Sequence, residues 1–303
     1  MHSWAPVRPM NDRTAEPVCI KTLYEYAAQI LEAAGIEEAR LDAWLLLEYQ
    51  LHLTRAQFYA RPERMVSGQD REAFLKLVRE RAKRRPLAQV TGTGWFMGHD
   101  FVVSGDVLTP RQDTETLVLA ALEYLPPEGD ILDLCTGSGC ILISVLLEKD
   151  RACGMGTDLS LEALRIAREN ARRHHLEDRI RWLHGDLFSA PLPEGNSFDV
   201  IVSNPPYIPA GEIDDLMPEV SVYEPRMALD GGRDGLDFYR RIALQAGAFI
   251  RPGGRLLCEI GYDQGQEVSS LFARAGWQDI HVLKDLAGHD RVVSASSPEK
   301  QED

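Results

Sequence analysis

The sequence predicts an α/β fold: a doubly wound, mostly parallel, seven-stranded sheet, preceded by a small N-terminal helical domain and a hairpin linker. Three observations predict it. From Ile131 onward, strand-like and helix-like runs alternate. Before Arg85 the apolar residues recur at helical spacing instead. Between these stretches, residues 86–108 carry Gly-rich turns and short β-type runs.

Each element has its own signal. Residues 1–21 read as a flexible lead. Thr22 and Glu25 have the spacing of a capping box, and Leu23, Ala27, Ile30, Leu31 and Ala34 then share one face until Gly35 stops the helix. A second helix from about Glu38 to Leu51 turns Leu41, Trp44 and Leu45 inward. A third, from about Gln69 to Arg84, does so with Phe74, Leu77 and Val78. The charged run Arg81, Lys83, Arg84, Arg85 ends this 22–85 bundle, and the 86–108 hairpin follows. Residues 109–295 form the sheet domain. Its strands are ILDLC, GMGTD, IRWLHGD, FDVIVSN and RLLCEIG, with two more inside DIHVLKDLAGHDRVVSA. Helices are expected at about 140–149, 160–173, 236–248 and 264–275, and residues 296–303 as a frayed tail.

Composition narrows the function. A chain of 303 residues, 44% hydrophobic and 26% charged, builds a sizeable core without staples. No apolar run approaches the ~20 residues of a membrane span. The first residues lack the layout of a secretory signal, so a cytoplasmic protein without a membrane partner is expected. Cys19, Cys135, Cys140, Cys153 and Cys258 are scattered without a CxxC pair, which reads as reduced thiols and no metal site. Residues 1–85 carry 14 Lys+Arg against 12 Asp+Glu, whereas residues 86–303 carry 19 against 35. A half this acidic is a poor scaffold for duplex DNA, whose binding leans on cationic contacts to phosphate, and no direct nucleic-acid partner is expected.

The first strand and turn, ILDLCTGSGC, place Gly137 and Gly139 between a strand and a helix, where a ligand meets the carboxyl edge of a sheet. A dinucleotide fingerprint needs a third glycine where Leu142 stands, so a nicotinamide cofactor fits poorly. S-adenosylmethionine is the alternative. Asp158 ends the next strand about 20 residues on, suited to ribose hydroxyls. Asp186 and Leu187 follow the third strand, suited to an adenine amino group and its ring. Any one strand-end Asp is an ordinary turn cap; Asp133, Asp158 and Asp186, in register at three successive strands, are a stronger signal. Trp182 and His184 read as sheet residues.

The fourth strand runs into Asn204-Pro205-Pro206-Tyr207. Two prolines remove two backbone donors and stiffen the chain just past the strand. The carbonyls before them and the Asn204 side chain then serve as fixed acceptors, with Tyr207 as a planar face. That set suits an NH2 on a conjugated group, a poor nucleophile whose lone pair must be aimed at a methyl sulfonium. Positioning and electrostatics would supply the catalysis. The residues alone support a planar NH2 acceptor and leave open a protein amide or a nucleic-acid base.

Further motifs separate these options. PLAQVTG at 86–92, Trp95-Phe96, LTPRQDTETLV at 108–118, DLCTGSGC, VSNPPYIP and YEPRMALDGGRDGL at 223–236 together resemble the release-factor glutamine methyltransferase family (the HemK/PrmC type), over about Thr22 to Ser294. The resemblance implies transfer of methyl from S-adenosylmethionine to the glutamine side-chain nitrogen in the Gly-Gly-Gln motif of class I peptide chain release factors. The helical domain would recognise that substrate. It implies that Cys135, Thr136, Gly137, Ser138 and Gly139 line the methionine part of the cofactor. Asp158 would hold the ribose, and Asp186 and Leu187 would frame the adenine. Asn204, Pro205, Pro206 and Tyr207 would hold the glutamine, with Asn204 also beside the cofactor. Position 135 is often glycine in such loops; Cys135 argues against a strict positive-φ requirement there. The block from Arg111 to Glu115 opens a helix at the mouth of the site, either in contact with ligand or simply capped by Asp113 or Thr114. The rivals are a ribosomal-protein glutamine methyltransferase, a nucleic-acid adenine amino methyltransferase, and a binding protein that kept the fold without the activity. The acidic 209–234 segment reads either as a wall of the acceptor site or as a surface loop.

Overall fold

The structure, a computed structural model, describes residues 18–192, 195 and 197–297. The expected lead lies outside these residues up to position 17, as does the expected tail from position 298. The chain divides into two compact units, one of residues 18–92 and 218–223, the other of residues 93–217 and 224–297.

The first unit is helical: α1 (Ile20–Ala33), α2 (Ala39–Leu51), α3 (Arg55–Ala60), α4 (Gly68–Ala82) and α5 (Leu87–Thr91). Leu23, Ala27, Leu31, Leu46, Leu47, Phe74 and Val78 are buried together in its core. Gly35 stops α1 in the left-handed region, with φ +73°. The start of α1 differs from expectation. It begins at Ile20 without a side-chain cap, and Thr22 lies inside the first turn. Its leading donors are satisfied from outside the helix, Ile20 N–H by the Arg64 carbonyl at 2.9 Å and Lys21 N–H by the Pro62 carbonyl at 3.2 Å. The capping box belongs to Thr54 and Gln57 at the start of α3. Leu41 is exposed and Leu45 and Leu77 are half-buried. Ala43, Leu46, Leu47 and Leu75 take the inward positions, because α2 and α4 pack on each other as well as on α1.

The run Arg81 to Arg85 does more than end a bundle. It holds the segment Pro218–Tyr223, which opens with a one-turn helix at Pro218–Ser221. Arg81 Nη1 donates to Glu219 at 2.9 Å, and Arg84 donates through Nε at 2.6 Å and Nη2 at 2.7 Å. Arg81 Nε also donates to Asp42 at 2.7 Å. The Tyr223 hydroxyl donates to the Lys83 carbonyl at 2.7 Å, and Gln89 Nε2 donates to the Tyr223 carbonyl at 3.1 Å.

The second unit carries the sheet: β1 (Asp130–Leu134), β2 (Cys153–Asp158), β3 (Ile180–His184), β4 (Phe198–Ser203), β5 (Ile250–Glu259), β6 (Gln278–Lys284) and β7 (Asp290–Ser296). The spatial order is β6-β7-β5-β4-β1-β2-β3, parallel except where β7 pairs with β5 and β6. Ser296 closes β7, so the strand takes the first residue of the expected tail. β5 starts earlier than the RLLCEIG run, at Ile250, and its pairing with β4 shifts register across residues 251–254. Alternation along the strands feeds two cores. Ile131, Val200, Val202 and Leu257 face one, with Leu117 and Val118 of α6 (Glu115–Tyr124) and the apolar face of α7 (Cys140–Glu148). Leu132, Leu134, Ile201 and Leu256 face the other, with Tyr239 and Ile242 of α9 (Asp237–Gln245) and Val268 and Phe272 of α10 (Gly265–Arg274). α8 (Leu161–Arg173) contributes Ala171 to the first core. Burial on both faces is what parallel sheets require.

The hairpin at Thr93–Phe96 and His99–Val102, expected as a linker, belongs to this second unit. Phe96 and Phe101 are buried in the first core. Asn170 of α8 completes its edge, accepting from Val102 N–H at 2.6 Å and donating to the Val102 carbonyl at 3.1 Å.

The Glu219 cluster gives a pH-dependent stability. Burial pushes this carboxyl up, but the bonds from Arg84 and Arg81 prevail and hold it at about 2. A depressed carboxyl stabilises fully above its unfolded value and loses that contribution as pH falls through the folded value. Replacing it as Glu219→Gln should cost at most about 3 kcal/mol near neutrality. The difference from wild type should shrink as pH falls from about 4.5 toward 2. Urea titrations of both proteins across that range check it; a difference constant with pH would deny Glu219 its paired charge.

Candidate functional site

Four strand ends converge on one cleft. The register of the sheet sets Leu134 of β1 opposite Thr157 of β2 and Ser203 of β4, so the residues that follow these positions leave the sheet together. The cleft has a volume of about 290 Å³, close to the lower end for small-molecule sites. Its lining includes Cys135, Thr136, Gly137, Ser138, Asp158, Asp186, Leu187, Asn204 and Pro206. Gly139, Pro205 and Tyr207 are not in that lining.

The turn after β1 is shaped by backbone. Cys135 takes φ +59°, so the left-handed conformation argued against from its side chain is adopted all the same. The steric cost of about 1–2 kcal/mol is offset by the bonds that fix the turn. Thr136 N–H donates to the Thr157 carbonyl at 3.0 Å and Gly139 N–H to the Thr136 carbonyl at 2.8 Å. Gly139, with φ +78°, opens α7 where a Cβ would sit 2.9 Å from the Trp182 ring. Trp182 is thus the wedge that demands glycine there. Gly137 has no neighbour within 4 Å of where a Cβ would be, leaving bare backbone toward the cleft. Leu187 is a second non-glycine residue of the lining with positive φ, at +52°. Such conformations gather at ligand sites, where surrounding structure over-determines them.

Asp158 ties the turn to the end of β2. Its Oδ2 accepts from Gly137 N–H at 2.9 Å and its Oδ1 from Ser160 N–H at 2.8 Å. Burial raises this carboxyl, and the two backbone bonds oppose the rise. Each oxygen retains a second lone pair for a ligand hydroxyl. Asp186 pairs with Arg241 at 2.8 Å, so its charge is already partly answered. Asp133, behind the turn, accepts from the Thr136 hydroxyl at 2.5 Å, while its Oδ1 is buried without a partner. Burial lifts Asp133 to about 7. Acidic groups around a bare-backbone turn suit a cationic sulfonium ligand carrying ribose hydroxyls, and the residues fit S-adenosylmethionine. Bound there, this group supplies an electrophilic methyl carbon.

The segment after β4 is fixed from two sides. Ile208 N–H donates to the Leu229 carbonyl at 3.0 Å and Gly231 N–H to the Ile208 carbonyl at 2.9 Å. Gly235, at φ +73°, lies so near the Tyr207 carbonyl that a Cβ would be driven into that oxygen. The DGGRDG run is therefore a packing partner of Asn204 to Tyr207. Gln264 Nε2 donates to the Tyr207 carbonyl at 2.9 Å, and Tyr207 packs against the second core. Pro225, Met227, Ala228 and Asp230 line the cleft, so this part of the 209–234 segment is a wall.

The Arg111–Glu115 block contributes to the site without capping its helix. Gln112–Thr114 forms a single 3₁₀ turn, and Thr114 precedes α6 with no side-chain cap bond. Arg111 Nη2 pairs with the buried Glu224 at 2.7 Å, and Glu224 also accepts from Thr109 N–H at 3.2 Å. Thr114 is buried, lines the cleft and accepts from Asn204 Nδ2 at 3.4 Å. Two residues that the sequence did not single out reach this constellation. Asn170 donates to the Ser138 carbonyl at 2.9 Å and so links the turn to the hairpin. Glu259, at the end of β5, is buried beside Thr114 and Asn204, whose polar groups oppose the rise that burial imposes on its carboxyl. An acidic residue closing an apolar strand was the signal available for Glu259.

Comparison with known proteins identifies the family of the chain. Residues 22–92 match the PrmC N-terminal domain and residues 109–233 the methyltransferase small domain. The release factor glutamine methyltransferase of Caulobacter vibrioides is 43% identical over 265 residues, 87% of this chain and 91% of that protein. Those of Cereibacter sphaeroides and Moorella thermoacetica are each 44% identical, over 88% and 89% of this chain and 95% of each relative. Among solved structures, a methyltransferase from Pyrococcus furiosus shares the fold with a TM-score of 0.50 at 16% identity, covering 66% of this chain and 90% of that one. Relatives this similar, matched over nearly their whole length, show that the chain belongs to the release factor glutamine methyltransferase family.

Proposed function

We propose that the chain methylates the side-chain amide nitrogen of the glutamine in the Gly-Gly-Gln motif of class I peptide chain release factors, with S-adenosylmethionine as donor. The observation that carries this reading is the placing of Asn204 and Pro206 in one cleft with the Cys135–Ser138 turn and Asp158. The names of the relatives point to the same substrate class. The turn and Asp158 would hold the donor, Asp158 through ribose hydroxyls. Asp186 and Leu187 border the adenine. Asn204 Oδ1 and the carbonyls ahead of the two prolines accept the amide N–H bonds and aim the nitrogen at the methyl carbon. The donor would supply its methyl group to that nitrogen, which would give up one proton to solvent. Catalysis on this reading is positioning and preorganised electrostatics. The helical unit at 22–85 serves as the recognition domain for the intact protein substrate, and translation in the cytoplasm is the setting. The deciding experiment offers labelled donor with release factor, ribosomal protein and DNA separately. Label in the Gly-Gly-Gln peptide alone is the expected result; label elsewhere would replace this substrate by one of its rivals.

Two substitutions separate the roles. Asn204→Ala should lower kcat by about 100- to 1,000-fold, because its acceptor acts on the reacting nitrogen, while donor binding stays measurable. Single-turnover rates beside calorimetry check this, and wild-type turnover would remove Asn204 from the mechanism. Asp158→Ala should weaken donor binding by about 2–3 kcal/mol, or roughly 30- to 150-fold in Kd. Unchanged affinity by calorimetry would reduce Asp158 to an anchor of the Gly137 and Ser160 amides.

A further inference from the structure

Glu259 is 2% exposed, and it lies at the carboxyl end of β5 on the edge of the sheet that carries the cleft. Its backbone is engaged in structure: the carbonyl accepts the Tyr239 hydroxyl at 2.7 Å, and the residue stands in register with Val292 of β7. Its side chain lies beside the polar groups of Thr114 and Asn204, which favour its carboxylate form, while Oε2 makes no hydrogen bond. Arg291 stands near, but its guanidinium is engaged with Asp285 at 3.1 Å, Asp113 at 3.3 Å and the Ile260 carbonyl at 3.3 Å.

The chemistry of the three groups allows one arrangement. The oxygen of Glu259 that meets Thr114 and Asn204 is an acceptor. Thr114 has one hydroxyl proton, which it donates to that carboxylate. Its lone pair then accepts from Asn204 Nδ2, as observed at 3.4 Å. Both contacts draw the amide NH2 of Asn204 inward, which leaves Oδ1 toward the cleft. The reversed amide would set Oδ1 against the carboxylate, acceptor against acceptor. Burial lifts the Glu259 carboxyl to about 7, and the arrangement above is that of the ionised acid.

We infer that Glu259 is a positioning residue that, directly and through the Thr114 hydroxyl, locks the Asn204 amide with its oxygen facing the acceptor nitrogen. This rests on the proposed role of Asn204. Without Glu259, the Thr114 hydroxyl is free to donate to Asn204 Oδ1. The amide can then turn over and present an NH2 to the substrate NH2, which grips nothing.

The test uses the full chain, S-adenosylmethionine and a peptide containing Gly-Gly-Gln. Glu259→Leu keeps about the same volume and removes the acceptor, and Tm is followed beside kcat to separate lost stability from lost orientation. Its kcat should fall on the order of 10- to 100-fold, as for a misplaced catalytic contact, with Tm and donor Kd unchanged. Glu259→Gln, which restores one acceptor oxygen, should recover most of that loss. The double variant Asn204→Ala with Glu259→Leu should be no slower than Asn204→Ala alone, since the second change then has nothing left to orient. Three results would overturn the inference: wild-type kcat in Glu259→Leu, a loss that only follows a falling Tm, or a full additional loss in the double variant. If Glu259→Leu is fast while Asn204→Ala is slow, the inference fails and the site reading stands. If Asn204→Ala itself is fast, both fail.

Discussion

The pairing register of β1 with β4 is the constraint on which the site depends. Leu134 lies opposite Ser203, and the Ser203 hydroxyl bonds the Leu134 carbonyl at 2.9 Å. Cys135 and Asn204 therefore leave the sheet side by side. β1 is also where the sheet reverses its order of addition, with β2 and β3 on one flank and β4 on the other. At such a switch point the loops diverge and a crevice opens at the carboxyl ends. A slip of one residue would send Leu132 and Leu134 to the core that Ile131 fills and bury the wrong faces. Hydrophobic alternation thus fixes the register, and the register brings the Cys135–Ser138 turn and the segment after β4 together.

Around that junction, polar groups act as pins. Asp158 holds the turn from β2, and Asn170 holds it from α8 through the Ser138 carbonyl. Gln264 holds the Tyr207 carbonyl, and the 229–232 stretch pairs along residues 208–210. Each pin satisfies a backbone group that would otherwise be orphaned near the cleft. Positive φ at Cys135 and Leu187 is tolerated within this frame. A rigid site is what a reaction driven by positioning requires.

Much of this was legible in the sequence because it follows from local pattern. The strand-helix alternation, the Gly35 stop, the hairpin and the strand-end positions of Asp158, Asp186 and Asn204 each come from spacing within a few residues. What escaped depends on partners far along the chain. The Thr22 cap looked sound locally, but the carbonyls of Pro62 and Arg64 take its place. α3 and α5, at six and five residues, are too short for periodicity to register. Arg81 and Arg84 read only as a charged run that ends the bundle, because Glu219 stands 138 and 135 residues away. Glu259 reads only as one residue of the RLLCEIG strand, since its neighbours Thr114 and Asn204 come from two other elements. The line fell between what neighbours in sequence determine and what neighbours in space determine.

The segment Pro218–Tyr223 changes what it means to speak of two domains. The polypeptide passes from one unit to the other at residues 92–93, again at 217–218, and back at 223–224. No single break in the chain can therefore part the units. A cut at the first crossing yields a C-terminal fragment that still carries a six-residue piece of the other fold, with Glu219 and Tyr223 stripped of Arg81, Arg84, Lys83 and Gln89. In evolutionary terms the helical unit cannot be gained or lost as a clean cassette. An exchange of that unit would have to carry residues 218–223, inside the loop between Tyr207 and α9, along with residues 18–92.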